Sequence, residues 1–209
     1  GRARVLVFDP DKVKPEELPN SLSELADERW KGQLGWAPSN ASFQAHVSAL
    51  RHLWGESETE TWLESVKALE PKTYPKNSPQ VKAVSNGEIT IGWVNHYYLH
   101  KLKTEEYKAA NYSFPSSDGD NVLMVAGAAM RKGLAGKPRE SAEKLLAYLL
   151  SDVVQGLLAQ ETFEYPVVHG VQTHPDVEPL ASIALAEVDQ AHLTDIGPTL
   201  NMLRDLDLQ

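Results

Sequence analysis

The residues with the most chemistry to offer lie in one stretch, Gly92-Trp93-Val94-Asn95-His96-Tyr97-Tyr98-Leu99-His100. Two adjacent phenols, Tyr97 and Tyr98, stand beside Asn95 and between two histidines, His96 and His100. Two phenolate oxygens from neighbouring residues could meet on one small, hard cation. Equally, the two rings could be half-buried aromatics that finish a core. The histidines are four apart, a spacing at which a helix presents two zinc ligands on one face, but no His-Glu-x-x-His motif accompanies them. A zinc-dependent hydrolase using His96 and His100 stands as an alternative of another class. The other histidines, His46, His52, His169, His174 and His192, are scattered and read as surface or loop residues.

A second candidate is Ala37-Pro38-Ser39-Asn40-Ala41-Ser42-Phe43. Small and capping residues follow a strand and open a helix. A helix start offers backbone N–H groups and the positive end of the dipole to an anion, and Asn40 and Ser42 add side-chain donors. Plain capping of an amphipathic helix explains the same residues. Arg2 and Arg4 alternate along the first strand and so share a face, turned either to solvent or to an anion cleft.

The elements that must position these groups follow from patterning. The opening residues to Phe8 read as a strand, and nothing before them offers it a partner, which suggests a chain beginning part-way through a larger fold. Ser21, with Glu24 three residues on, spells a capping box for a short helix. Phe43, Val47, Leu50 and Trp54 recur at helical spacing until Gly55, and Trp62, Val66 and Leu69 mark a second helix from about 59. Ser78-Pro79 opens a third, with the proline in its first turn. Asn86-Gly87 turns the chain into the apolar run 89–94, a buried strand that delivers the tyrosines at its end, where open α/β sheets bind ligands. A polar helix is expected after His100, to about Tyr107. The run 122–130 reads as a buried strand. Helices follow over 140–150, with Ala142, Leu145, Leu146 and Leu149 on the core face, and from a Ser151 cap to about 162. Thr194 is placed to cap the last helix. Strands alternating with helices predict an α/β class with a largely parallel sheet.

Composition narrows the function. The chain has 209 residues and a formal net charge of −9, a poor match to nucleic acid or to an anionic membrane surface. There is no cysteine, which excludes disulfides, thiolate metal sites and cysteine nucleophiles. The run 122–130 is too short to cross a bilayer. No nucleophile elbow, phosphate-binding loop or dinucleotide fingerprint is spelled.

Taken in order, several pieces resemble the ferric-ion-binding proteins, the periplasmic solute receptors of bacterial ABC iron uptake systems. They are Gly1-Arg2-Ala3-Arg4-Val5, Trp30-Lys31-Gly32, the stretch from Gly35-Trp36 through Phe43, and Lys76-Asn77-Ser78. Asn86-Gly87-Glu88-Ile89, Asn95-His96-Tyr97-Tyr98 with His100, and Glu161-Thr162-Phe163-Glu164-Tyr165-Pro166 complete the set. The resemblance covers essentially the whole chain. It implies an α/β, periplasmic-binding-protein-like fold of two lobes, here mostly the C-terminal lobe (1–127 and 179–209), with 128–178 belonging to the N-terminal lobe. Roughly the first third of the mature receptor would be absent.

The same resemblance implies a receptor rather than an enzyme. Tyr97 and Tyr98 would ligate Fe(III), and the other metal ligands would lie upstream of Gly1. An accompanying phosphate or carbonate would sit at Asn40, Ala41 and Ser42, helped by Asn77, Asn95 and Arg4. The partner would be an ABC permease of the inner membrane, and the location periplasmic or extracytoplasmic, with or without a lipid anchor. A receptor of the same fold for another small solute, an organophosphonate or a polyamine, is the alternative within binding proteins.

Overall fold

A computed structural model describes residues 1–102 and 108–209. The part of the expected helix that extends over 103–107 lies outside the described residues. Among them, six strands form one sheet, β1 (Arg2–Phe8), β2 (Leu34–Trp36), β3 (Lys72–Thr73), β4 (Ile91–Asn95), β5 (Ala110–Tyr112) and β6 (Leu123–Met124). The helices are α1 (Ala41–Leu53), α2 (Glu56–Ala68), α3 (Asn77–Ser85), α4 (Tyr97–Leu102), α5 (Gly136–Leu149), α6 (Asp152–Thr162) and α7 (Ile196–Asp205). The strand order is β3-β2-β4-β1-β5, and β6 also pairs with β1.

β1 is therefore central, not unpartnered. It runs antiparallel to β4, β5 and β6, whereas β2 pairs parallel with β3 and β4. The sheet is mixed rather than largely parallel. Helical crossovers produce the parallel half, and long-range closure onto β1 produces the antiparallel half, which no local pattern encodes.

The two-residue period of β1 divides the core. Leu6 and Phe8 face one side and pack with Trp36, Phe43, Val47, Leu50, Trp62 and Trp93. Val7 faces the other, with Val81, Val84, Val94 and Leu99. Ala3 and Val5 share that second face and meet Tyr165, Val177 and Ile183. Arg2 and Arg4 are thus on the face covered by α1. In β4, Gly92 permits a close approach. A side chain there would put its first carbon 3.1 Å from Val7 Cγ1 and 3.3 Å from Gln80.

The helices over 41–53 and 77–85 form where their spacing predicts, and Gly55 ends α1 with a φ of 92°. Three expectations fail, two at helix starts and one at a strand. Residues Ser23–Ala26 form a 3-10 turn without a side-chain cap, Glu24 accepting from the Asn20 N–H instead. The cap of α7 is Asp195, while Thr194 donates to Ala191 O. The last strand shrinks to Leu123–Met124, because 125–130 finds no strand to pair with and Val125 and Met130 are exposed.

The α5–α6 pair is the largest departure. Ser151 caps α6 as expected, accepting from the Val154 N–H. Yet α5 buries none of its residues. Leu145 is 56% exposed, Tyr148 63%, Val153 79% and Leu157 58%. Beside them a largely apolar cavity of about 480 Å³ opens between Leu146, Leu149, Leu158 and Pro166. A contiguous apolar face of this kind drives association in water. The 209-residue chain is expected to self-associate at micromolar concentration and to enhance the fluorescence of an apolar dye. Val153→Glu with Leu157→Glu should reduce both in sedimentation and dye titrations; a dye-silent monomer at all concentrations would contradict the exposed face.

Candidate metal and anion site

Arg4 is the fixed point of the site. Strand register sets it directly opposite Asn95. Its side chain is fully buried. Nη1 donates to Asn77 Oδ1 at 3.3 Å, Asn95 Oδ1 at 3.4 Å and Ser42 Oγ at 3.4 Å, and Nη2 donates to the Trp93 carbonyl at 2.8 Å. The guanidinium carbon lies 5.0 Å from the centre of the Trp93 ring. Every one of these partners is neutral, and Nε, also buried, has no partner. Among the described residues Arg4 makes no ion pair. Burial draws its pKa down to about 9, opposed by the charge of Tyr98 and Tyr97 when ionised. The guanidinium is still cationic at neutral pH.

Two helix starts converge on this cation. Asn40 caps α1, its Oδ1 accepting from the Ser42 N–H at 3.0 Å and from Ser42 Oγ at 2.6 Å. So Asn40 serves its own helix, as simple capping predicts. Asn77 opens α3 and bridges, accepting from Arg4 and donating through Nδ2 to Ser42 Oγ at 3.3 Å. Ala41 is exposed at the first turn of α1. Next to it a cavity of about 260 Å³ is lined by Arg2, Ala41, Ser42, Gln190 and Thr194. The structure thus gathers Arg4, Ser42, Asn77 and Asn95 into one hydrogen-bonded group, with Asn40 tied to it through Ser42.

The tyrosines follow directly. β4 ends at Asn95 and α4 begins at Tyr97, a few residues earlier than the polar run after His100 suggests. The two rings are stacked, centroids 4.4 Å apart and 28° from parallel. Burial pushes the Tyr97 phenol up, the hydrogen bond and charge of Tyr98 push it further, and Asn95 and Arg2 pull it partly back. Tyr97 is therefore a neutral phenol at pH 7 until a cation displaces its proton. Lys101 Nζ sits 4.7 Å over the Tyr97 ring.

The histidines do not make a zinc site. His96 uses both ring nitrogens internally. Nδ1 accepts the Ala3 N–H at 3.1 Å, and Nε2 meets the Phe163 carbonyl at 2.7 Å, which requires the proton on Nε2. Burial lowers its pKa to about 4. Among the described residues no group of three or more His, Asp or Glu is arranged to hold a metal. His46 is not a surface residue. It is fully buried on α1, its Nε2 donating to the Gly119 carbonyl and its ring 4.7 Å from Trp93.

Sequence reasoning missed Trp93, which supplies a carbonyl and a ring face to Arg4, and Gln80, which accepts the Trp93 N–H at 3.0 Å. A backbone carbonyl carries no sequence signal. Gln80 had one, a polar residue on the inner face of a short helix.

The two helix starts and the end of β4 thus meet Arg4 in the interior of the mixed sheet, on its α1 face. A sequence profile of the family described as "Bacterial extracellular solute-binding protein" matches residues 1–184, and the chain belongs to that family. It is similar to the major ferric iron-binding protein of Neisseria meningitidis serogroup A, 31% identical over 200 residues, covering 93% of this chain and 59% of that one. It superposes on iron-bound HitA from Pseudomonas aeruginosa with a TM-score of 0.89 and 33% identity, covering 98% of this chain and 67% of that one. It is also similar to Trichodesmium IdiA (FutA) in complex with iron and citrate, TM-score 0.81 and 25% identity, covering 100% and 68%. The chain spans somewhat more than half the length of the curated relatives it matches. The fold is thus the α/β fold of periplasmic binding proteins. No helix among the described residues is long and apolar enough to cross a membrane.

The buried histidines make stability depend on pH. His46 falls from 6.5 to about 3, mainly through burial and then through the charge of Arg4, with the Gly119 carbonyl opposing. Between those values the unfolded chain holds a proton that the native one does not. Stability is complete above pH 6.5 and declines as pH falls toward 3, by about 1.4 kcal/mol per unit for each such group. His46→Gln, which keeps a donor for Gly119, should remove about one proton from this slope in denaturant titrations between pH 6.5 and 4.5. An unchanged slope would contradict the buried, neutral assignment.

Proposed function

We propose that this chain belongs to an extracytoplasmic receptor that binds Fe(III) through Tyr97 and Tyr98, together with an anion held beside Arg4. The observation that carries the reading is a pair of stacked phenols at the end of β4, next to a buried arginine that has only neutral partners. The names of the relatives, ferric iron-binding in Neisseria and iron-bound in Pseudomonas, support it.

The chemistry is consistent. Fe(III) is small and hard and favours anionic oxygen, and its charge pays for ionising a phenol that burial would keep neutral. Three charges on the ion and one on Arg4 then face two phenolates, so a doubly charged anion balances the group. Phosphate or carbonate fits that requirement, seated by Arg4, Ser42, Ala41 and Asn40 at the α1 start, with Asn77 and Asn95 holding Arg4 in place. The citrate in the Trichodesmium complex shows that an organic anion accompanies iron in that relative. Residues 1–127 and 179–209 would form one lobe and 128–178 part of the other, which accords with the sparse burial of α5. The receptor would release iron to an ABC permease of the inner membrane.

Titrating iron from a weak chelator tests the tyrosines. Tyr97→Phe and Tyr98→Phe each keep the ring and remove one anionic oxygen. Each should lose most of the phenolate-to-iron colour and more affinity than the about 10–100-fold that outer-shell changes cost. Wild-type colour and affinity in both variants would overturn the assignment.

The anion is tested through Arg4. Arg4→Lys keeps a charge but loses the planar fork that reaches Ser42, Asn77, Asn95 and Trp93 together. It should release iron faster, and added phosphate should no longer slow the release. A release rate indifferent both to the substitution and to phosphate would count against the anion site.

A further inference from the structure

We propose that His96 is a positioning residue for the tyrosine pair. It ties the peptide that carries Tyr97 and Tyr98 to three other segments and so fixes where the two phenols point. The proposal rests on the reading that these phenols hold the iron.

Every polar group of His96 is engaged. Its N–H donates to Ala3 O at 3.0 Å, and the Ala3 N–H returns a bond to Nδ1 at 3.1 Å. Nε2–H donates to Phe163 O at 2.7 Å. Its carbonyl accepts from Asn111 Nδ2 at 2.8 Å. The ring is stacked on Tyr165 at 4.5 Å and meets Tyr97 edge-on at 5.8 Å. The residue is 2% exposed. β1, β5 and the turn after α6 thus converge on the residue immediately before the pair.

A neutral imidazole suits this place because it offers one acceptor and one donor on a single rigid ring. A longer, flexible side chain would satisfy one bond at the expense of the other. The Phe163 carbonyl belongs to a residue held at φ 59°, at the end of α6, and the Tyr165 N–H donates to Gly1 O at 2.7 Å. Through His96, a displacement of the α6 end against β1 is passed to the start of α4. The ring nitrogens act on the backbone, not on the ligand, which separates this role from metal ligation.

The test compares His96→Leu, which removes both ring bonds, with His96→Asn, which keeps an acceptor near the Nδ1 position, and His96→Gln, which keeps a donor near the Nε2 position. In the iron-free protein, hydrogen exchange of the peptide spanning 94–99 should quicken about tenfold or more in His96→Leu, since local opening is no longer resisted there. After saturation with iron, the charge-transfer band of the same variant should shift, and loss of iron to citrate should quicken by about 10–100-fold. His96→Asn and His96→Gln should fall between it and the parent, and they carry the test if His96→Leu does not fold. Wild-type exchange over 94–99 would overturn the proposal. So would a lowered Tm with an unshifted band, which is what a merely structural residue gives. Failure of the iron reading shows separately, as colour retained in Tyr97→Phe and Tyr98→Phe, while the exchange measurement still decides what His96 holds.

Discussion

A buried guanidinium without a carboxylate partner is the constraint on which the rest of the structure depends. Removing Arg4 from water is costly unless its donors are met, and the chain meets Nη1 and Nη2 with four neutral oxygens and an aromatic face while Nε stays unpartnered. Those oxygens come from β4, α1 and α3, so the elements around the cleft are held in mutual register by one side chain. Neutral oxygens satisfy the geometry of the donors but not the charge. The positive potential left over lies beside two phenols and at the start of α1, where a phenolate or an anion is most strongly stabilised.

The charge on Arg4 responds to the phenols. Ionised Tyr98 and Tyr97 favour the charge on Arg4, while burial keeps Tyr97 protonated without a cation. In the proposed site a trivalent cation would outweigh the two phenolates and repel Arg4, so a bound anion would be needed to restore the balance.

Much of this was legible in the sequence where the signal is local. The α1 period, the Gly55 stop, the Ser151 cap and the strand that delivers the tyrosines follow from spacing and turn chemistry alone. Arg2 and Arg4 on a common face followed from strand alternation. What was not legible was non-local. The antiparallel closure onto β1 depends on partners about ninety residues away. His46 reads as a surface or loop residue, and packing against Trp93 with a hydrogen bond to the Gly119 carbonyl accompanies its burial. The apolar positions of α5 have the period of a core face yet meet solvent, because periodicity reports that a face wants burial and not whether anything covers it. The resemblance carried by the ordered motifs supplied the ligand roles, which spacing alone left open between metal donors and core aromatics.

The central claim is that one Fe(III) ion is held jointly by two adjacent phenolates beside Arg4. Anomalous diffraction at the iron absorption edge, on crystals of the iron-loaded protein, tests it most directly. The account predicts one strong peak within bonding distance of both Tyr97 Oη and Tyr98 Oη, with the density of an anion between it and the start of α1. A peak on neither phenol, or on histidines elsewhere in the chain, would contradict it.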